Sequence, residues 1–158
     1  NIKKTKLNGG FTLFIAIITT SIFLIISFVV SNIAFRQIIL ARASLASQYA
    51  FYNADSGIEC ATYWDLKNPD FSPFNTNNSG TSPISCNGQT FNVGGPTGIP
   101  YSSFTINLPT GCAYVRVMKN YSTNPPVTTV DSRGYNTCSA GATIRYERGV
   151  TSTFLGSN

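Results

Sequence analysis

The chain has 158 residues, room for one modest domain and an appendage, since globular domains cluster near ~100 to 150 residues. Only 11% of it is charged, against roughly 25% in an ordinary soluble domain, while 42% is apolar, so apolar character is concentrated somewhere. Histidine is absent, which removes the usual general base at neutral pH, every His-containing triad and every His metal ligand.

The formal charge of +5 is not spread along the chain. Asp55 is the first acidic residue, so Lys3, Lys4, Lys6, Arg36 and Arg42 account for the whole excess. From Asp55 onward, Lys67, Arg116, Lys119, Arg133, Arg145 and Arg148 are balanced by Asp55, Glu59, Asp65, Asp70, Asp131 and Glu147. The excess flanks a hydrophobic segment, where it sets membrane orientation rather than nucleic-acid affinity.

That segment runs from Phe11 to Phe35 without a charge, Gly or Pro. As a helix it spans about 37 Å at ~1.5 Å per residue, enough to cross a hydrocarbon core of ~30 Å with some tilt. Three lysines precede it and only Arg36 follows directly, which keeps the amino-terminal end cytoplasmic and places the remainder outside. A secretory signal has a shorter apolar run followed by an A-x-A cleavage site, and neither is present.

Small residues lie ahead of the run instead, as Asn8-Gly9-Gly10 directly before Phe11-Thr12-Leu13. In this the sequence resembles the type IV pilin and pseudopilin family, whose precursors have a short basic leader ending in Gly, then Phe-Thr-Leu opening a long apolar helix. The resemblance implies a leader over 1–10, cleavage by a prepilin peptidase between Gly10 and Phe11 with Gly9 beside the junction, and N-methylation of Phe11. It implies an assembly helix opening with Phe11, Thr12, Leu13 and Ile15. The implied partners are other pilin subunits through helix–helix packing, the prepilin peptidase, the inner-membrane pilus assembly platform and the membrane itself. The precursor then resides in the cytoplasmic membrane and the mature chain in an extracellular pilus at the cell surface. The competing reading is a signal-anchored surface adhesin in which Gly9 and Gly10 merely interrupt the helix start.

The family usually places a glutamate five residues into the mature chain, where this sequence has Ile15. In the family's assembly picture that carboxylate meets the terminal amine of the subunit already in place, and a buried ammonium without a partner costs several kcal/mol. Ile15 supplies no such partner. The family members that lack the acid include K-type pseudopilins and similar minor pilins thought to occupy the filament tip, which directs the reading toward a minor or tip subunit.

Residues 36–56 have no Gly or Pro and are rich in helix formers, so the helix is expected to continue over 36–68 as an amphipathic segment. Ile38, Leu45, Tyr49, Tyr52, Glu59 and Tyr63, with Ala41, recur at helical spacing and are expected to form the stripe that packs on the following domain. The stretch Tyr49 to Glu59 (YAFYNADSGIE) also resembles that of X-type minor pilins. Asp55 and Glu59 share a helix face, and a solvated role is commoner for such a pair than acid–base work. Gly57 costs about 1 kcal/mol in a helix relative to Ala and is expected to mark close approach of another backbone. Pro69 stops the helix by Asn68.

Residues 69–85 are dense in Pro, Asn, Ser, Thr and Gly and read as a surface loop opening a β-rich head over 69–158. Period-two alternation then appears in Gln89–Val93, Ser103–Leu108, Tyr114–Lys119, Val127–Ser132 and Thr143–Arg148, predicting an antiparallel meander. Asp131 to Asn136 resembles a late pilin strand and turn. The fold class is therefore α+β and pilin-like: a long amino-terminal helix, apolar in its first half, on a small antiparallel sheet with two disulfides.

Cys60, Cys86, Cys112 and Cys138 stand 26 residues apart without repeating flanks or a C-x-x-C pair, so disulfides are the better account than zinc. Three pairings are open on spacing alone. The turn Asn120 to Pro126 makes neighbours of the strands next to Cys112 and Cys138, favouring Cys112 with Cys138 and Cys60 with Cys86.

Functionally, the sequence reads as a structural filament subunit. The alternatives are a secretion pseudopilin and a DNA-uptake pilin with Arg116, Lys119, Arg133, Arg145 and Arg148 against phosphates, the latter disfavoured by a neutral head. No nucleophile elbow, phosphate loop or metal motif is present, so neither an enzyme nor a cofactor is expected.

Overall fold

In the computed structural model, residues 9–68, 70–76, 80–95 and 99–157 are described. Lys3, Lys4, Lys6 and Asn8 of the expected leader, and Pro69, lie outside the described residues. One helix, α1 (Gly9–Leu66), occupies the amino-terminal part of the chain. Beyond Leu66, the Asn68 side-chain oxygen accepts the Asp70 backbone N–H at 3.1 Å, a local turn that competes with further helix. By internal contacts the chain divides into two units, Asn1–Ala43 and Ser44–Asn158.

In the second unit, α1 packs on antiparallel sheet through a face of small residues. Ala50, Asn53, Ala54, Gly57, Ala61 and Asp65 are buried, recurring at intervals of three and four along one side. Leu45, Tyr49, Tyr52, Glu59 and Tyr63 lie on the opposite, exposed side, and Ile38 and Ala41 of the first unit are exposed too. The expected core stripe is thus inverted, and the reason is distance. A Cβ on Gly57 would meet Val115 Cγ2 at 2.7 Å, and one on Gly134 would run into the backbone of Ala50 and Ala54. A helix lying this close to a sheet has no room for aromatic rings beneath it. Gly57 itself faces the side chains of Ala113, Val115 and Ser132; the backbone approach expected there occurs at Gly134.

Two sheets are present among the described residues. Strands β1 (Thr81–Cys86) and β2 (Gln89–Gly94) form a hairpin, with Thr81 opposite Gly94 and Cys86 opposite Gln89. The expected loop over 69–85 therefore ends at β1. Pro83 interrupts the period-two pattern of this strand, and a proline is tolerated in a strand with a free edge. The signal was Asn87-Gly88, both at positive φ, the pair that suits a two-residue hairpin turn.

The second sheet is a four-stranded meander in the order β3 (Ser102–Leu108), β4 (Gly111–Asn120), β5 (Val127–Tyr135), β6 (Glu147–Leu155). The expected last strand, Thr143–Arg148, is displaced: Thr143 to Tyr146 lie outside any strand and the real one begins at Glu147. Gly149 and the hydroxyl-rich Thr151-Ser152-Thr153 disguised it. Register places Phe104 beside Val115 and Val117 beside Val130 on the face toward α1. These residues share a core with Ala61, Phe74, Ile84 and Val93. Phe104 stacks with Phe74 at 6.1 Å and tilts against Phe91 at 5.5 Å, linking the two sheets.

Candidate functional site

The first unit presents the apolar segment, and every residue from Phe11 to Phe35 is exposed. A helix apolar on all sides suits a membrane or the inside of a helix assembly rather than water. Four hydroxyls within it, those of Thr19, Thr20, Ser21 and Ser27, are bonded to the helix's own backbone. Thr20 Oγ1 donates to Ala16 O at 2.9 Å, Ser21 Oγ to Ile17 O at 2.7 Å and Ser27 Oγ to Phe23 O at 2.8 Å. Thr19 Oγ1 reaches the Ile15 and Ala16 carbonyls at 3.0 Å. Such back-bonding removes the cost of bare polar groups in a medium without water. By length and composition this helix is able to cross a membrane.

Gly9 and Gly10 fall in the first turn of α1, so the Gly10–Phe11 junction is helical. A Cβ on Gly10 would meet nothing within 4 Å. Among the described residues the fold therefore gives no steric reason for glycine there. Ile15 lies on the exposed apolar surface with its neighbours Leu13 and Phe14.

The second unit is closed by a buried polar node at the end of α1. Lys119 Nζ, on β4, lies 2.7 Å from Asp65 Oδ1, with both side chains fully buried. Asp65 Oδ1 also accepts from Ser72 Oγ and its Oδ2 from Thr128 Oγ1 at 2.8 Å. The Asp65 carbonyl accepts from Ser157 Oγ, while Lys119 Nζ donates to the Ser157 carbonyl. Burial pulls the Lys119 ammonium below its ordinary pKa, against the opposing hydrogen bond and charge of Asp65. The node ties helix, loop, β4, β5 and the residues after β6 together, and spacing gave no hint of it.

It also divides the five cations considered for phosphate contact. Lys119 is sealed inside. Arg148 lies opposite Gly134 and donates to Ser47 Oγ of α1 at 2.8 Å. Arg133 contacts Glu147 at 3.3 Å and Asp131 at 3.8 Å, while Arg116 lies over the Tyr101 ring and Arg145 over Tyr135. Arg116 and Arg133 both act on Tyr114, and Arg133 and Arg145 both act on Tyr135, so these three share a neighbourhood from which Lys119 is excluded.

Cys60 of α1 is bonded to Cys86 of β1 with Cα atoms 6.0 Å apart, fastening the hairpin to the helix. Trp64 Nε1 adds a hydrogen bond to the Ser85 carbonyl at 2.9 Å. The second expected bridge is not closed: Cys112 and Cys138 are thiols, one buried and one exposed. They are neighbours nonetheless, because Cys112 pairs with Tyr135 in the β4–β5 ladder, three residues before Cys138. Burial, followed by the hydrogen bond and charge of Cys138, pushes the Cys112 thiol up to about 12.

Comparison with protein-family models, with curated proteins and with solved structures finds no match for this chain. The class rests on architecture: a long amino-terminal helix with an apolar first half, whose second half packs on antiparallel sheet, is a pilin-like fold. The apolar helix marks association with a membrane or export.

Proposed function

We propose that this chain is a structural subunit of a type IV pilus or related filament, placed as a minor or tip subunit and not as a catalyst. The observation that carries this reading is the apolar segment, exposed on all sides, with the hydroxyls of Thr19, Thr20, Ser21 and Ser27 bonded to its own backbone. A helix of that kind exchanges lipid for neighbouring helices with four of its hydroxyls already satisfied. The outward Leu45, Tyr49, Tyr52 and Tyr63 extend apolar surface along α1 in the second unit, as packing against sister subunits requires.

In this reading a prepilin peptidase trims the precursor after Gly10 and Phe11 is N-methylated. The glycine, which the fold itself does not need, serves the peptidase. The assembly platform then draws the helix from the cytoplasmic membrane into the filament. Ile15 leaves the subunit without a carboxylate for a predecessor's amine, which suits a position with no predecessor. The test is the amino-terminal mass of protein from sheared surface filaments. A chain beginning with methylated Phe11 supports the reading, and low abundance relative to another pilin supports the minor role. An intact leader on protein retained in the membrane overturns it.

A further inference from the structure

A cleft of about 490 Å³ opens where the end of α1 meets the β1–β2 hairpin, with Trp64, Lys67, Phe71, Pro73, Ser82 and Pro83 in its walls. That volume lies within the ~300 to 1,000 Å³ range of small-molecule sites. Most of the walls are rings, an indole, a phenyl and two pyrrolidines, with the Asn68 amide beside them. Trp64 is held in place by its hydrogen bond to Ser85 and by the edge of Tyr63, with ring centroids 5.7 Å apart. Phe71 is 49% exposed, although Phe74, three residues on, is fully buried in the core. The chain therefore leaves one ring at the cleft while packing its neighbour away.

Lys67 supplies the charge. Its Nζ stands 4.2 Å from the Trp64 ring centroid and 5.6 Å from that of Tyr63. Among the described residues it makes no ion pair with a carboxylate. An ammonium has three donors, and a ring face satisfies none of them as an anion does. Apolar ring walls with one such cation beside them suit a ligand whose ring presents an apolar face, aromatic or C–H, and which carries one negative charge.

We propose that this cleft binds a ring-bearing carboxylate, its ring against Phe71, Pro73 and Pro83 and its carboxylate on Lys67 Nζ, with the Ser82 hydroxyl available to a second polar group. Aryl carboxylates and hexuronic acids share this chemistry. The proposal does not rest on the filament role, and the test reads binding at the cleft directly.

Trp64 is the one tryptophan of the chain, so its fluorescence reports on the cleft. The full chain in a non-ionic detergent is titrated with phenylacetate and with glucuronate, each beside its uncharged counterpart, phenylacetamide or glucose. A saturable change with either acid, about tenfold weaker for the uncharged counterpart, is the expected result, as loss of one charge-assisted contact predicts. The acid that responds tells aryl from sugar ligands. Lys67→Gln removes the preference for the acid, and Phe71→Ala weakens acid and counterpart alike. Both side chains are exposed, so these variants keep the fold. No saturable response to either acid overturns the proposal, as does an equal response to acid and counterpart. An emission change that follows protein concentration alone also overturns it, because a second copy then fills the cleft.

Discussion

Lys119 Nζ and Asp65 Oδ1 are 2.7 Å apart with neither side chain open to solvent, which makes a complete ion pair the closing element of the head. Two charges withdrawn from water are tolerated only when each is bonded further, and here Ser72, Thr128 and Ser157 complete the set.

Removing one partner strands the other. Lys119→Met is expected to lower unfolding stability by roughly 3 to 5 kcal/mol, and Asp65→Leu combined with Lys119→Met to recover most of the loss. Denaturant unfolding followed by Trp64 fluorescence measures both; equal loss in single and double variants would show that packing, not the stranded charge, dominates.

Gly134 and Gly10 make opposite demands. Gly134→Ala drives a methyl into the Ala50 and Ala54 backbone and is expected to cost about 1 to 3 kcal/mol, while Gly10→Ala meets no atom and leaves head stability unchanged. Should Gly10→Ala also leave maturation and surface display unchanged, the peptidase reading of that glycine fails.

The two thiols differ in accessibility and in acidity. In protein carrying both as thiols, iodoacetamide is expected to label exposed Cys138 first, at pH 8, and Cys112 only as the pH approaches about 12. The folded state keeps the Cys112 proton where an unfolded thiol, near 9.0, loses it. Its contribution to stability is therefore complete below about pH 9 and is lost as pH rises through about 12. Peptide mass spectrometry reads the labelling, and equal rates at pH 8 would contradict the burial. In exported protein the same pair is expected to close as a disulfide, seen as four rather than two hydrogens missing from the intact mass.

The outward aromatics separate assembly from folding. Tyr52 and Tyr63 are 62% and 58% exposed, so Tyr52→Glu and Tyr63→Glu are expected to leave melting within about 0.5 kcal/mol of the parent. Recovery of these variants in sheared filaments is expected to fall severalfold. Melting changes as large as that of Gly134→Ala would place the rings in the head's own packing instead.

Sequence alone determined what depends on local order along the chain. The uncharged stretch Phe11 to Phe35, the helix that follows it and four of the six strands among the described residues were legible because covalent neighbours set period and hydropathy. The hairpin partner of β2 was not, since Pro83 broke the alternation, although Asn87-Gly88 marked the turn. What tertiary structure decided is which side of α1 faces the sheet. Helical spacing identifies stripes but not their direction, and here close approach at Gly57 and Gly134 turned the small residues inward and the rings outward. The Asp65–Lys119 node was likewise hidden. A buried charge is identified only by the partner that makes its burial tolerable, and that partner comes from a distant part of the chain.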